Sequence, residues 1–364
     1  MKIVIAAWHV RDFNVGLGRY ARELIEAIGR VDREHDYLVL TPPAACTFSP
    51  RPNIVHRTVR IPYFRRRVWE QVAPLSAGGY DVLHFPYDSC IAWKRGKFVA
   101  TIHDVKPLVL SHHRPRMRLN ERVLSAVVGD RWSRLDHVVT DSLCSQRDIL
   151  RLLPLTEDRV TVVYPGVEAQ RFAPAAERED GESAKPYVLC VAGNDPAKNV
   201  ETLIEAYCRL PGAVRERYDL LLAGDVRKQT GLVDRVNRVG LADRVVFPGP
   251  VSEERLVRLY QQARLFVFPS RYEGFGLPVL EAMACGCPVI SSNASSLPEV
   301  VGDAGVLVEP DDVDGLSREI LGLLSDEGRW QELRNRGLVR ARQFSWDETA
   351  RRMVDVYRKV AAQA

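Results

Sequence analysis

Residues Phe266–Ser292 read FVFPSRYEGFGLPVLEAMACGCPVISS, the most informative stretch of the chain. A short apolar run ends at Pro269–Ser270, a glycine-rich turn follows, a helix opens near Gly276, and a second apolar run closes the segment. A strand that feeds a helix through such a turn presents backbone N–H groups and the positive end of a helix dipole, a setting suited to a diphosphate. Gly274 and Gly276 let a ligand approach the main chain, and Pro278 sits in the first turn, where its missing N–H costs nothing. Two carboxylates bracket the opening. Glu273 lies just before it, and Glu281 lies inside the helix among Leu280, Ala282 and Ala284. A carboxylate at Glu281 can accept two hydrogen bonds from a ribose diol, and one at Glu273 can accept from sugar hydroxyls. The residues alone leave a plainer pair of roles open, with Glu273 capping the helix and Glu281 on a solvated face.

Outward from this block, β-branched runs alternate with amphipathic stretches. Lys2–Ala7, Asp36–Leu40, Asp81–Phe85, Phe98–His103 and His137–Thr140 read as buried strands, with helices at Arg19–Arg30 and Met117–Trp132 between some of them. The pattern starts again with strands at Tyr187–Ala192, Asp219–Ala223, Arg244–Phe247, Leu265–Phe268 and Pro288–Ser291. Helices are expected at Asn199–Leu210, Glu253–Gln262 and Gly276–Cys285. Such alternation implies an α/β protein with parallel sheets covered on both faces. Ala173–Lys185 (APAAEREDGESAK) is polar and small, as a linker should be. The expected domains are therefore residues 1–172 and 186–345, joined by a linker at 173–185 and followed by a helix within 346–364. Two doubly wound domains facing each other leave a cleft at the carboxyl ends of their strands, where such sheets bind ligands.

At 364 residues two domains are the better expectation. A content of 46% hydrophobic and 27% charged residues is that of an ordinary globular protein, and a net charge of +4 gives no argument for nucleic acid. The seven cysteines are scattered without a CxxC pair, which fits reduced, mostly buried thiols of a cytoplasmic protein. No apolar run approaches the roughly 18 residues of a spanning helix, and MKIVIAAWHV is too short for a signal segment. Asp312-Val313-Asp314 has the form of a metal-binding D-x-D, but in EPDDVDGLSREI its acidic residues suit a helix start. No other cluster has metal-ligand spacing.

The Phe266–Ser292 block resembles the signature of family-4 glycosyltransferases with the two-domain GT-B fold. Further matches are Gly16-Leu17-Gly18-Arg19-Tyr20, Thr101-Ile102-His103-Asp104, Tyr164-Pro165-Gly166-Val167, Lys198-Asn199 and Ser295–Val300 (SSLPEV). The resemblance runs from end to end and implies two Rossmann-like domains, with the C-terminal helix returning to the first. It implies a retaining, metal-independent hexosyltransferase that needs no cofactor beyond a nucleotide-diphosphate sugar as co-substrate. Mannose from GDP-mannose is the first expectation and a UDP-hexose the second.

In the family, the residue matching Glu281 binds the ribose, and the one matching Glu273 contacts the transferred sugar. Backbone around Gly274, Phe275, Gly276, Leu277 and Val279 surrounds the diphosphate, which Lys198 neutralises. Fixed cations must do this work if no metal does. His103 is placed beside the anomeric centre, with Asp104 as the group that could orient its imidazole. Alternatively, Asp104 is a turn residue before Pro107. Gly16 and Gly18 fall near donor phosphate or acceptor. Where many relatives carry an arginine near the lysine, this chain has Asn194 and Ala197, so either Arg271 or Arg19 replaces that cation or diphosphate binding is weaker than usual; Arg19 and Asp104 also border the acceptor.

A saccharide or lipid-linked acceptor is implied. Two basic stretches, Arg57–Trp69 (RTVRIPYFRRRVW) and His112–Arg122 (HHRPRMRLNER), suit peripheral contact with anionic lipid at the inner face of the plasma membrane, or are simply solvated faces. Two other functions are compatible with the sequence: a nucleotide-sugar-binding scaffold partner with weakened catalysis, and a nucleotide-sugar 2-epimerase of the same fold.

Overall fold

The computed structural model describes residues 1–11, 16–43, 45, 48–61, 66–89, 91, 95–111, 134–175, 185–226 and 231–363. The helix expected at Met117–Trp132 and the basic stretch His112–Arg122 lie outside them, as do residues 62–65 of the other basic stretch and residues 176–184 of the expected linker. Cys46 and Cys90 also lie outside. Cys190, Cys285 and Cys287 are buried, as expected, whereas Cys144 and Cys208 are half-buried. Among the described residues no helix is long and apolar enough to cross a membrane.

The chain divides into two units, Met1–Gly166 with Ser345–Ala364, and Val167–Phe344. The first unit holds β1 (Lys2–Ala6), β2 (Asp36–Thr41), β3 (Ile54–Thr58), β4 (Val82–Phe85), β5 (Lys97–Thr101), β6 (His137–Thr140) and β7 (Val160–Val162). They form one parallel sheet in the order β3-β2-β1-β4-β5-β6-β7. The second unit holds β8 (Tyr187–Val191), β9 (Asp219–Ala223), β10 (Val245–Gly249), β11 (Leu265–Phe268), β12 (Val289–Ser292) and β13 (Val306–Val308), parallel in the order β10-β9-β8-β11-β12-β13. In each sheet the chain winds away from the first strand on one side and resumes on the other. Connections therefore diverge beside β1 and beside β8, which opens a crevice at the carboxyl ends of the strands within each unit.

The central strands are buried on both faces, which is why they read as unbroken apolar runs. The strands not expected from the sequence stand at sheet edges: β3, exposed along most of its length, and the three-residue β7 and β13.

The division falls at Gly166, ahead of the expected boundary at 172. Residues after it pack with the second unit: the Phe172 ring lies 6.3 Å from that of Tyr260, Arg171 pairs with Glu253, and the Val167 N–H donates to the Phe344 carbonyl at 3.1 Å. The chain re-enters the first unit at Ser345. There Ser345 caps the helix Trp346–Ala361, its hydroxyl accepting from the Glu348 N–H at 3.2 Å, and Glu348 three positions on completes a capping-box sequence. Trp346, Met353, Val356, Tyr357 and Val360 enter the same core as Ile3, Tyr20, Leu24 and Ile28. The Tyr357 hydroxyl lies 2.7 Å from His84 Nδ1 beneath the sheet, and Arg30 pairs with Asp347 at 2.8 Å. This is the returning helix that the resemblance implied.

Gly166 makes the return possible. A Cβ there would sit 2.1 Å from the Trp346 backbone nitrogen and 2.3 Å from the Ser345 carbonyl carbon. Those atoms are main chain, so neither can swing aside. Gly166→Ala is expected to destabilise the first unit by about 1–3 kcal/mol, the usual cost of overpacking. Urea denaturation of parent and variant measures this, and an unchanged midpoint would show that the return crossing has slack.

Candidate functional site

In the second unit the ends of β8 and β11 are neighbours at the point where connections diverge. After β8 a short 3-10 turn, Pro196–Lys198, carries Lys198, and after β11 the loop to Gly276 carries Glu273. Lys198 Nζ is 2.8 Å from Glu273 Oε1 and 4.6 Å from the centre of the Phe268 ring. The Ser270 hydroxyl lies 2.6 Å from the same Glu273 oxygen and 2.9 Å from the Ala197 carbonyl. The Arg271 N–H donates to that carbonyl at 2.7 Å, so main chain ties the two turns together. The pair is largely enclosed, at 19% and 13% side-chain exposure, and each charge compensates the other's loss of water.

Asn199 holds the turn behind the lysine. It adopts the left-handed conformation, φ 55°, which asparagine tolerates better than most residues. Its buried amide donates to the Pro269 carbonyl at 3.0 Å and the Pro310 carbonyl at 2.7 Å, and its oxygen accepts from Thr202 Oγ1 at 2.7 Å. On the other side, hydroxyls clasp the glycine-rich loop. Ser295 and Ser296 donate to the Glu273 carbonyl at 2.6 and 2.9 Å, and Ser296 Oγ lies 2.7 Å from the Phe275 carbonyl.

Gly276 is the N-cap of the helix Leu277–Ala284 at φ 119°, a conformation closed to L side chains, and a Cβ there would also meet Leu297 Cδ2 at 2.8 Å. Pro278 is in the first turn, as expected. Glu273 is not the cap. Glu281 is buried rather than solvated, with 2% exposure, and its Oε2 accepts from the Tyr260 hydroxyl at 3.1 Å. The Val279 N–H, expected near the diphosphate, donates to the Gly276 carbonyl at 3.0 Å and closes the first helical turn. Leu277 keeps the more favourable place at the opening.

The remaining donor-side residues are peripheral. The Arg271 guanidinium pairs with Asp311 at 2.6 Å on an exposed rim instead of joining Lys198. Ala197 is buried, and Asn194 is half-buried in the turn after β8. Cys190 on β8 stands near the pair, and burial pushes its thiol up to about 12, so it is inert. Asp312 caps the helix Val313–Ser325, accepting from the Gly315 N–H at 2.8 Å, and Asp314 pairs with Arg209, so the D-x-D is a helix start.

In the first unit, His103 follows β5. Its Nδ1 lies 2.6 Å from Asp141 Oδ2 at the end of β6, its Nε2 3.2 Å from the Pro86 carbonyl, and its ring meets Tyr20 edge-on at 4.6 Å. Burial lowers its pKa, but the Asp141 charge and hydrogen bond outweigh that, so the net shift is upward. Asp104, expected to orient the imidazole, does not do so: Oδ1 accepts from the Lys106 N–H at 2.8 Å, the alternative turn role. Gly16 opens the helix Gly16–Val31 at the surface, Gly18 is buried in it, and Arg19 is half-buried beside Tyr20. The sequence assigned no role to Asp141, Asn199, Ser270 or Tyr260, although Asn199 stood in the matched Lys198-Asn199 pair and Ser270 inside the Phe266–Ser292 block.

Residues 15–171 match the model of Glycosyltransferase Family 4, and residues 174–343 match that of glycosyl transferases group 1. The chain belongs to these glycosyltransferases. It is 31% identical to the O-antigen chain mannosyltransferase B of Escherichia coli over 98% of its own length and 100% of that protein's. It is 32% identical over 74% of its length to the serotype-specific mannosyltransferase WbdA of Escherichia coli, of which the match covers 34%. Sucrose-phosphate synthase from Thermosynechococcus elongatus shares the GT-B fold, with a TM-score of 0.78 and 23% identity over 100% of both chains.

Removing the Asn199 amide would leave two carbonyls without their donor. Asn199→Ala should cost about 1–3 kcal/mol in denaturant-induced unfolding. A variant as stable as the parent would show that Asn199 does not hold the Lys198 turn.

Proposed function

We propose that the protein transfers a mannosyl group from GDP-mannose to a saccharide or lipid-linked acceptor in polysaccharide synthesis, with retention of configuration and without a metal ion. The end-to-end likeness to an O-antigen mannosyltransferase supports the sugar. The observation that carries the mechanism is the Lys198–Glu273–Ser270 group beside the opening of the helix Leu277–Ala284.

Lys198 pairs with Glu273 at 2.8 Å. A diphosphate is the stronger partner for the ammonium, so donor binding draws Lys198 toward phosphate and frees Glu273 Oε1 to accept from a sugar hydroxyl. Glu281, buried and oriented by Tyr260, accepts from the ribose. In the transfer step the bond from the anomeric carbon to the diphosphate oxygen breaks as the bond to the acceptor oxygen forms on the same face. The acceptor's proton passes to the departing diphosphate. Lys198 and the helix opening stabilise the charge that develops there, which is where electrostatic catalysis is most effective.

Turnover of GDP-mannose, UDP-glucose and UDP-galactose in the presence of EDTA tests this. GDP release from GDP-mannose alone is the expected result. A chelator-sensitive activity restored by Mg²⁺ would overturn the metal-free mechanism, and turnover of a UDP-sugar alone would overturn the donor.

The glutamates separate by role. Glu281→Gln should weaken GDP binding by about 1–3 kcal/mol, the value of a hydrogen bond to a charged group. Glu273→Gln should depress kcat more than GDP affinity, because its contact is to the sugar. Calorimetric titration beside steady-state kinetics reads both; the opposite pattern would exchange the two assignments.

A further inference from the structure

We propose that Asp141 is a positioning residue that holds His103 as a fixed imidazolium, so that the first unit carries a permanent cationic group at the carboxyl end of its sheet; the dependence of turnover on that cation rests on the transfer reaction proposed above. The geometry leaves the ring little choice. Nδ1 faces a carboxylate oxygen at 2.6 Å and Nε2 faces the Pro86 carbonyl oxygen at 3.2 Å. Both partners only accept. A neutral imidazole keeps a lone pair on one nitrogen and would set it against an acceptor, whereas the cation donates to both.

The groups around the ring favour the same state. Asp141 faces it from β6 and Asp104 from its own loop, and both draw its pKa upward against burial. His84 on β4 does not compete for the proton. Its nitrogens lie 2.7 Å from the Tyr357 hydroxyl and 2.9 Å from the Thr101 hydroxyl, groups that suit either neutral tautomer. Burial and the His103 charge push His84 down to about 3. Tyr20, packed on the ring from the helix Gly16–Val31, stays a neutral phenol because burial raises its pKa. Ser145 Oγ donates to the His103 carbonyl at 3.0 Å, so main chain and ring are both located. The ring is 16% exposed and the carboxylate 8%, so the cationic member of the pair is the one nearer the surface.

Two readouts on Asp141→Asn test the proposal, with Asp141→Glu as the conservative variant. Nitrogen-15 NMR of labelled histidine, assigned with His103→Gln, should show both His103 nitrogens protonated in the parent at neutral pH. In Asp141→Asn the ring should lose its proton at lower pH. A cation is present below its pKa and lost above it, so the alkaline limb of the kcat profile should move to lower pH in Asp141→Asn. At pH 8 kcat should fall about a hundredfold, the low end for loss of one preorganised electrostatic group, with the deficit shrinking toward acid pH. Asp141→Glu should restore most of it. A singly protonated His103 in the parent at neutral pH overturns the assignment. So does an Asp141→Asn deficit equal at every pH, which a merely structural role would give. If no donor is turned over by the parent, the transfer reading fails on its own, and the NMR titration still decides the Asp141–His103 assignment.

Discussion

The Lys198–Glu273 ion pair bridges the ends of β8 and β11, the two strands between which the second sheet changes winding direction. A lysine and a glutamate cannot be withdrawn from water separately at such a place without a large loss of solvation. Together they can, provided that the turns bearing them are held in register. The surrounding contacts do that holding. Ala197 receives the Arg271 N–H and the Ser270 hydroxyl, Asn199 fastens the lysine turn to Pro269 and Pro310, and Ser295 and Ser296 clasp the loop bearing Glu273. Most of these bonds end on main-chain atoms, so the position of the charges is set by backbone and not by the charges' own attraction.

The two sheets share a winding scheme yet carry different chemistry at their strand ends. The second unit offers a lysine and a helix opening, and the first offers an imidazole wedged between a carboxylate and a carbonyl. A flexible ammonium can exchange a carboxylate partner for a phosphate. The His103 ring, bonded at both nitrogens and packed on Tyr20, cannot turn without breaking several contacts at once. One group is free to change partners, and the other is held in one place.

Architecture was legible wherever burial is two-sided. β1, β4, β6, β8 and β11 appear as apolar runs because both faces of a central parallel strand are covered. Ile54–Thr58 escaped because an edge strand with exposed side chains has no such run, and Val160–Val162 and Val306–Val308 are too short to show one. The packing division at Gly166 differs from the expected boundary at 172 for a related reason. Composition marks where the chain becomes polar, whereas Phe172 and Arg171 are assigned by what they touch, Tyr260 and Glu253.

The functional residues follow the same distinction. Glu273, Gly276 and Glu281 were legible as candidates because a strand, a glycine-rich turn and a helix follow one another locally in the sequence, whereas Lys198, in the distant turn after β8, was named only through the family resemblance. Residue order therefore carried the family, the winding and the donor loop. It carried no information on which groups meet across distant strands. Asp141 reaches His103 from a neighbouring strand, Tyr260 reaches Glu281 from another helix, and the Val279 N–H turns inward to close a helical turn. Such pairings depend on sheet register and helix packing, which bring together side chains whose sequence neighbours say nothing of each other.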